Sequence, residues 1–167
     1  MSGENYSIRQ FTPDDLPAYK AMRLEALQVE HGTFGNGYAM ESAFTDEQWM
    51  ARLTNPVGAI FGLYNGDELI GITGINVRET DLPGDAYMTH SYIKREYRGK
   101  KLSRMLYEIR FAWAREHGIK RLLIGHKKSN LASRGANQHF GFKHTHSNPR
   151  QWADGSIEDD EQYELWL

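Results

Sequence analysis

The chain has 167 residues, 40% hydrophobic and 25% charged, with a formal net charge of −2 and no cysteine. This suits one globular domain spanning residues 1–167 that buries roughly two-thirds of its unfolded surface. It excludes a disulfide scaffold, a cysteine nucleophile, thiolate metal sites and a global basic field that would draw the protein onto nucleic acid or a membrane. The N-terminus, Met1-Ser2-Gly3-Glu4-Asn5, has no basic region followed by an apolar core, and no segment approaches membrane-span length. A cytoplasmic protein is the expectation.

Tyr6 to Phe11 reads as a short strand. Thr12-Pro13-Asp14-Asp15 then supplies a threonine cap, a proline at the first helical position and acids in the first turn. Leu16, Tyr19, Arg23, Ala26 and Leu27 continue at helical spacing. His31 to Phe44, with three glycines and three aromatics, reads as a loop. Thr45-Asp46-Glu47-Gln48 repeats the capping pattern for a helix to about Leu53, which Asn55-Pro56 ends. Gly58 to Tyr64 is a nearly continuous apolar run, as in a buried strand, and Asn65-Gly66 is a turn signal. In Leu69 to Val77 the apolar alternation changes phase beside Gly74, which predicts a bulge there. Leu82-Pro83-Gly84-Asp85 reads as a turn and Ala86 to Ile93 as a strand. The helix that follows carries one apolar stripe of Leu102, Met105, Leu106, Ile109, Ala112 and Trp113, off which Phe111 falls, and Gly118 stops it. Arg110, Arg115, Lys120 and Arg121 read as an exposed face. A strand over Ile119 to Gly125, a helix over Leu131 to Phe140 and strands over Phe142 to His146 and Gln162 to Leu167 complete the chain. Glu158 to Glu161 reads as a solvated turn, and the His144/His146 pair lacks a third ligand, so no metal site is expected.

The stretch Ile93-Lys94-Arg95-Glu96-Tyr97-Arg98-Gly99-Lys100-Lys101-Leu102-Ser103 ends a strand and opens a helix. A helix N-terminus offers unpaired N–H groups and about half a unit of positive charge. With Arg98, Lys100, Lys101 and Arg104 added, it suits a diphosphate, although a merely solvated basic turn would read the same. The loop lacks the glycines of a dinucleotide fingerprint and the lysine–serine or lysine–threonine pair of a Walker loop.

These residues resemble the GNAT superfamily of acetyl-CoA-dependent N-acetyltransferases. The likeness lies in the order strand, Arg98-Gly99-Lys100, helix, strand, Ser129-Asn130 and Gly141-Phe142, and is strongest from Tyr87 to Phe142. It implies a single-domain α/β acetyltransferase fold with a mixed, mostly antiparallel sheet of about seven strands and about four helices. The family's signature, Q/R-x-x-G-x-G/A, falls on Arg98-Gly99-Lys100-Lys101-Leu102-Ser103, with Lys101 and Ser103 at the second and third anchors. The resemblance implies that residues 98–103 hold the pyrophosphate of acetyl-CoA through backbone N–H groups. A backbone donor needs no glycine at Lys101 if its dihedrals are ordinary. Tyr92 and Ile93 match the strand end that pairs with the pantetheine arm, where one N–H polarises the thioester carbonyl. Asn130 matches the family's helix-opening asparagine, which also reads as an ordinary cap, and Ser133 lies one turn on.

The family often carries a thiolate-protonating tyrosine four residues before the Gly-Phe pair; here that position is Asn137, with His139 about 200° away around the helix. For a general base the preceding strand offers Tyr87, where some members carry glutamate, and His90. Strict alternation puts His90 on the opposite face from Tyr87 unless a bulge reverses it, and a satisfied sheet histidine is the alternative. Glu30, Phe34 and Tyr38 are the candidate acceptor-side residues. The reaction implied is acetyl transfer from acetyl-CoA to a primary amine, with a small-molecule acceptor preferred and a homodimer left open. A non-catalytic CoA-binding or sensing module is the alternative.

Overall fold

Gly58–Asn65 and Glu68–Val77 bury side chains on both faces, so helices have to cover each face. They do so in the computed structural model, which describes residues 4–78 and 84–167. The strands are β1 (Tyr6–Gln10), β2 (Gly58–Asn65), β3 (Glu68–Val77), β4 (Asp85–Ile93), β5 (Arg121–Lys127), β6 (Lys143–Gln151) and β7 (Ile157–Trp166). The helices are α1 (Leu16–Val29), α2 (Tyr38–Ser42), α3 (Asp46–Leu53), α4 (Ser103–Glu116) and α5 (Leu131–His139). The strands form one sheet in the order β1-β2-β3-β4-β5-β7-β6, antiparallel except for β4 and β5. This is the expected α/β architecture, with five helices rather than about four.

Two packed layers sandwich the sheet. Tyr19, Met22 and Ala26 of α1 and Trp49 and Leu53 of α3 pack on Ile60, Ile72 and Tyr92. Tyr107, Trp113 and Ala114 of α4 pack on Phe61, Ile75, Met88, Leu122 and Ile124 of the other face. Side-chain caps open α3 and α5. For α3, Thr45 Oγ1 accepts from the Gln48 amide at 3.2 Å while Gln48 Oε1 accepts from the Thr45 amide at 2.8 Å.

Several expectations need correction. The stretch read as a loop contains α2, which turns Glu41 fully inward. The phase change in β3 needs no bulge at Gly74: Ile72 and Ile75 simply serve the two helical layers. The irregularity lies opposite, in β4, where His90 and Ser91 face the single residue Thr73. The inner face of α4 is rotated from the predicted stripe and includes Arg110, 1% exposed, whose Nε donates to the Leu106 carbonyl at 2.8 Å. Arg121 is also not part of an exposed face, being ion-paired with Asp85 and Glu164. Phe111 joins an aromatic cluster with Tyr107, Phe140 and Phe142. Residues 158–161 belong to β7, not to a turn, and β6 extends to Gln151. Being an exposed edge strand that contains Pro149, β6 carries no apolar pattern to reveal its length. Of the turn read at 82–85, Leu82 and Pro83 lie outside the described residues.

Candidate active site

β4 and β5 share three rungs: Asp85–Arg121, Ala86–Leu122 and Tyr87–Leu123. At this junction the Arg121 guanidinium grips Asp85 at 2.9 and 2.5 Å and Glu164 at 3.0 Å. Farther along, β4 pairs with β3 and β5 with β7, so the two strands part. The gap opens a cleft of about 990 Å³ that runs from the basic turn to the α1/α3 side of the sheet.

On the α4/α5 side, the amides of residues 99–103 have no hydrogen-bond partner among the described residues, and no side chain caps α4. The next amide, that of Arg104, reaches the Lys101 carbonyl at 3.4 Å. Successive open amides at a helix start are a nest for an anion. Two residues bend this turn through the left-handed region, Gly99 at φ +78 and Lys101 at φ +63. Lys101 therefore lacks ordinary dihedrals: it takes the backbone shape of the glycine that the motif calls for, at a cost of about 1 kcal/mol.

The cations of this stretch are not equivalent. Arg98 donates to Glu30 at 2.6 Å and to the Ile93 carbonyl at 2.8 Å. The Lys100 side chain turns away to Glu4 at 3.3 Å and does not line the cleft, so only its backbone amide stays in the turn, which corrects the expected place of its charge. Arg104 lies 3.6 Å from Glu108 on its own helix. Lys101 lines the cleft and has no carboxylate partner among the described residues. Leu102, Ser103, Tyr92, Ile93, Asn130 and Ser133 also line it. The Tyr92 phenol is committed to Glu25 at 2.9 Å; burial and that carboxylate keep its proton on. Asn130 caps α5, its Oδ1 accepting from the Ser133 amide at 3.1 Å.

Asn137 is 1% exposed, and its Oδ1 accepts from the Tyr107 hydroxyl at 2.6 Å. Stacking on Phe140, with ring centroids 4.1 Å apart, fixes Tyr107. The amide is thereby oriented, and its Nδ2 is buried in the cleft wall without a partner among the described residues. His139 is exposed and lies against Phe140.

On the α1/α3 side, the bulge carries His90 into the left-handed region, at φ +66. This turns its ring toward α1 and α3. The Nδ1 atom lies 2.9 Å from Thr89 Oγ1, and Nε2 lies 3.0 Å from the Tyr19 hydroxyl and 3.4 Å from Arg52. A guanidinium has no lone pair, so the nitrogen facing it is the unprotonated one. His90 lines the cleft, yet burial, with Arg23 and Arg52 beside it, holds its pKa well below 6.5. Both nitrogens are engaged and the imidazole is neutral. Tyr87 donates to Gln162 at 2.9 Å, and burial raises its pKa, so it is a phenol at neutral pH. Across the gap stands Gly125, where a Cβ would sit 2.8 Å from the Tyr87 hydroxyl, so the wall there has no room for a side chain.

Behind His90 lies a group the sequence reading missed. Glu41, 0% exposed, accepts from Arg23 at 2.9 and 3.0 Å and from Arg52 at 2.8 Å. Burial pushes its carboxyl up, but the two guanidinium groups outweigh this and hold it at about 2. Phe34 lies over Arg23 at 4.8 Å, in the cleft wall. Tyr38 does not line the cleft: it opens α2, and Glu41 is the residue that helix turns inward. An arginine on the apolar stripe of α1 was the available signal for this group.

The profile of the Acetyltransferase (GNAT) family matches residues 23–142. This chain belongs to the GNAT acetyltransferase family. Solved members share the fold across nearly the whole chain. A GNAT acetyltransferase from Streptococcus pneumoniae is 19% identical with a TM-score of 0.84, over 98% of this chain and 100% of that one. The Salmonella typhimurium protein yncA, solved with acetyl-CoA, is 19% identical with a TM-score of 0.82, over 98% and 95%. A ribosomal-protein-alanine N-acetyltransferase from Brucella melitensis is 20% identical with a TM-score of 0.80, over 96% and 99%. No curated protein sequence matches. GNAT proteins use acetyl-CoA as co-substrate. The open amides at 99–103 and the parted strands fit a diphosphate and an extended, amide-bearing arm. No helix among the described residues is long and apolar enough to cross a membrane.

Proposed function

We propose that this protein transfers the acetyl group of acetyl-CoA to a primary amine of a small molecule by direct attack. The observation that carries the proposal is the cleft between β4 and β5, which runs from the anion nest at 99–103 to a chamber at its far end beside His90 and Arg52. The amides of Gly99 to Ser103, with Lys101, hold the pyrophosphate. The backbone of Tyr92 and Ile93 holds the pantetheine arm, with Asn130 and Ser133 opposite. Glu30 positions Arg98 at the mouth.

The amine nitrogen attacks the thioester carbonyl, and a backbone N–H near Ile93 stabilises the oxyanion. Collapse of the adduct breaks the C–S bond, and Asn137 Nδ2 donates to the departing thiolate. A free thiol has a pKa of about 8.5, so this leaving group departs tolerably without full protonation. The amine's proton goes to water. An excess of cationic side chains around the chamber lowers an ammonium's pKa and favours the free base. Tyr87 and His90 shape the chamber as neutral groups. Positioning supplies most of the rate, since an effective molarity of about 10⁵–10⁸ M outweighs an acid or base worth about 10²–10⁴-fold.

Thiol release on mixing acetyl-CoA with a panel of amines tests this. Release dependent on one amine class, with acetylated product by mass, is expected. CoA binding without release on any amine instead identifies a CoA-binding or sensing module, and absence of CoA binding removes the cofactor assignment.

A further inference from the structure

Glu41 is one carboxylate serving two guanidinium groups, so the Arg23–Glu41–Arg52 cluster carries an excess positive charge inside the protein. The Arg23 side chain is 6% exposed, and its Nη1 is buried with no hydrogen-bond partner among the described residues, while the residue lines the cleft. A buried guanidinium that is only partly satisfied is costly, and an orphaned donor in the wall of a cavity marks the place of a missing acceptor. His90 supplies no compensating charge. Two more arginines border the same chamber. Arg150 is balanced by Asp160 at 2.9 Å, whereas Arg78 lies over the Tyr87 ring at 4.4 Å with no carboxylate partner among the described residues. Counting Arg23, Arg52, Arg78 and Arg150 against Glu41 and Asp160 leaves the chamber two positive charges in excess.

We infer that the acceptor amine also bears an acidic group, a carboxylate or phosphonate, that docks against Arg23 Nη1 with Arg52 and Arg78 beside it. This rests on the acetyl-transfer reading and names its substrate class. An anion there completes the hydrogen bonding of Arg23 and neutralises the cluster. A polyamine is repelled, and a peptide N-terminus whose carboxyl is in amide linkage lacks the docking group.

The test is kcat/KM by thiol release for matched pairs: α-amino acids against their carboxamides, aminoalkylphosphonates against their diesters, with putrescine and an alanine-initiated peptide amide alongside. The acids are expected to exceed their neutral partners by on the order of tenfold to a hundredfold. The phosphonate arm distinguishes the two anion types. Arg23→Gln should level acid and neutral partner. Because Arg23 also supports the fold, the exposed Arg78→Gln is made in parallel and should narrow the preference with CoA affinity unchanged. Equal rates within each pair, or faster turnover of putrescine or the peptide amide, overturn the inference. If no amine releases thiol, the transfer reading fails but the anion site is still decided, by melting temperature in saturating CoA. A shift with a hydroxy acid and none with its amide supports the site; equal shifts, or none, overturn it.

Discussion

The two ends of the cleft are built in different ways. At the α4/α5 end the chemistry is consecutive backbone, the amides of residues 99–103, positioned by one left-handed turn and a helix start. At the α1/α3 end it is made of side chains from four separate elements: Arg23, Glu41, Arg52 and His90. Under the proposed function, the first end reads a group common to every catalytic cycle, and because its donors are backbone amides it should tolerate side-chain change. The second end concentrates buried charge, so the residues proposed to select an acceptor also hold the fold together.

Removing Glu41 should break that second end most severely. Glu41→Gln leaves two guanidinium groups against a neutral amide, and loss of one partner of a buried pair costs about 3–5 kcal/mol. At about 2–4 °C per kcal/mol for a chain of this size, calorimetry should register a fall of roughly 6–20 °C. Acid probes the same group. The unfolded carboxyl titrates near 4.5 and the folded one near 2, so the unfolded state takes up the proton first. The Glu41 contribution is present above about pH 4.5 and is lost as pH falls toward 2. His90 acts in the same direction from pH 6.5 downward, because only the unfolded state protonates it readily. Glu41→Gln should therefore reduce the slope between pH 4.5 and 2, where Asp15 and Asp154 also contribute, and leave the His90 part.

At the other end, Asn137→Ala removes the donor proposed for the departing sulfur. A hydrogen bond to a charged group is worth about 1.5–3 kcal/mol, so kcat should fall about tenfold to a hundredfold. CoA affinity by titration calorimetry should stay within about twofold, because the nest is untouched. An equal loss of affinity would place Asn137 in binding instead. His90→Asn is a smaller perturbation, since asparagine accepts the left-handed backbone. It should cost less than about tenfold in kcat/KM, against the roughly 10²–10⁴ expected for a base, and should not move the pH profile. Smallest is Lys101→Gly, which relieves the turn. It should stabilise the protein by about 1 kcal/mol in denaturant unfolding, while losing one cation near the phosphates.

The same contrast explains what the sequence disclosed. The basic turn, its flanking strand and helix, and the Asn130 cap are local signals, so their spacing alone placed them. The cap of Thr45 was equally readable, because a cap is decided within four residues, whereas Thr12 opens a short 3-10 turn over Pro13–Asp15 ahead of α1. The Arg23–Glu41–Arg52 cluster joins residues that meet only after α1, α2 and α3 pack. Glu41 sat in a glycine-rich stretch with no periodicity to raise α2 above a loop. Tyr107 fell within the helical run, and nothing nearby tied it to Asn137, thirty residues on. The bulge at His90 was expected on the wrong strand: an apolar phase change in β3 is also what two covered faces produce, and only the β3–β4 register separates the cases.

Past the three-rung junction, the facing sides of β4 and β5 are backbone without a partner strand. Deuterium should enter the inward-pointing amides of residues 88–93 and 124–127 sooner than those of β2, which is paired on both sides. A guest whose own amides bridge that seam would slow the exchange along both borders together, so the protein is expected to become a continuous sheet only while it is loaded.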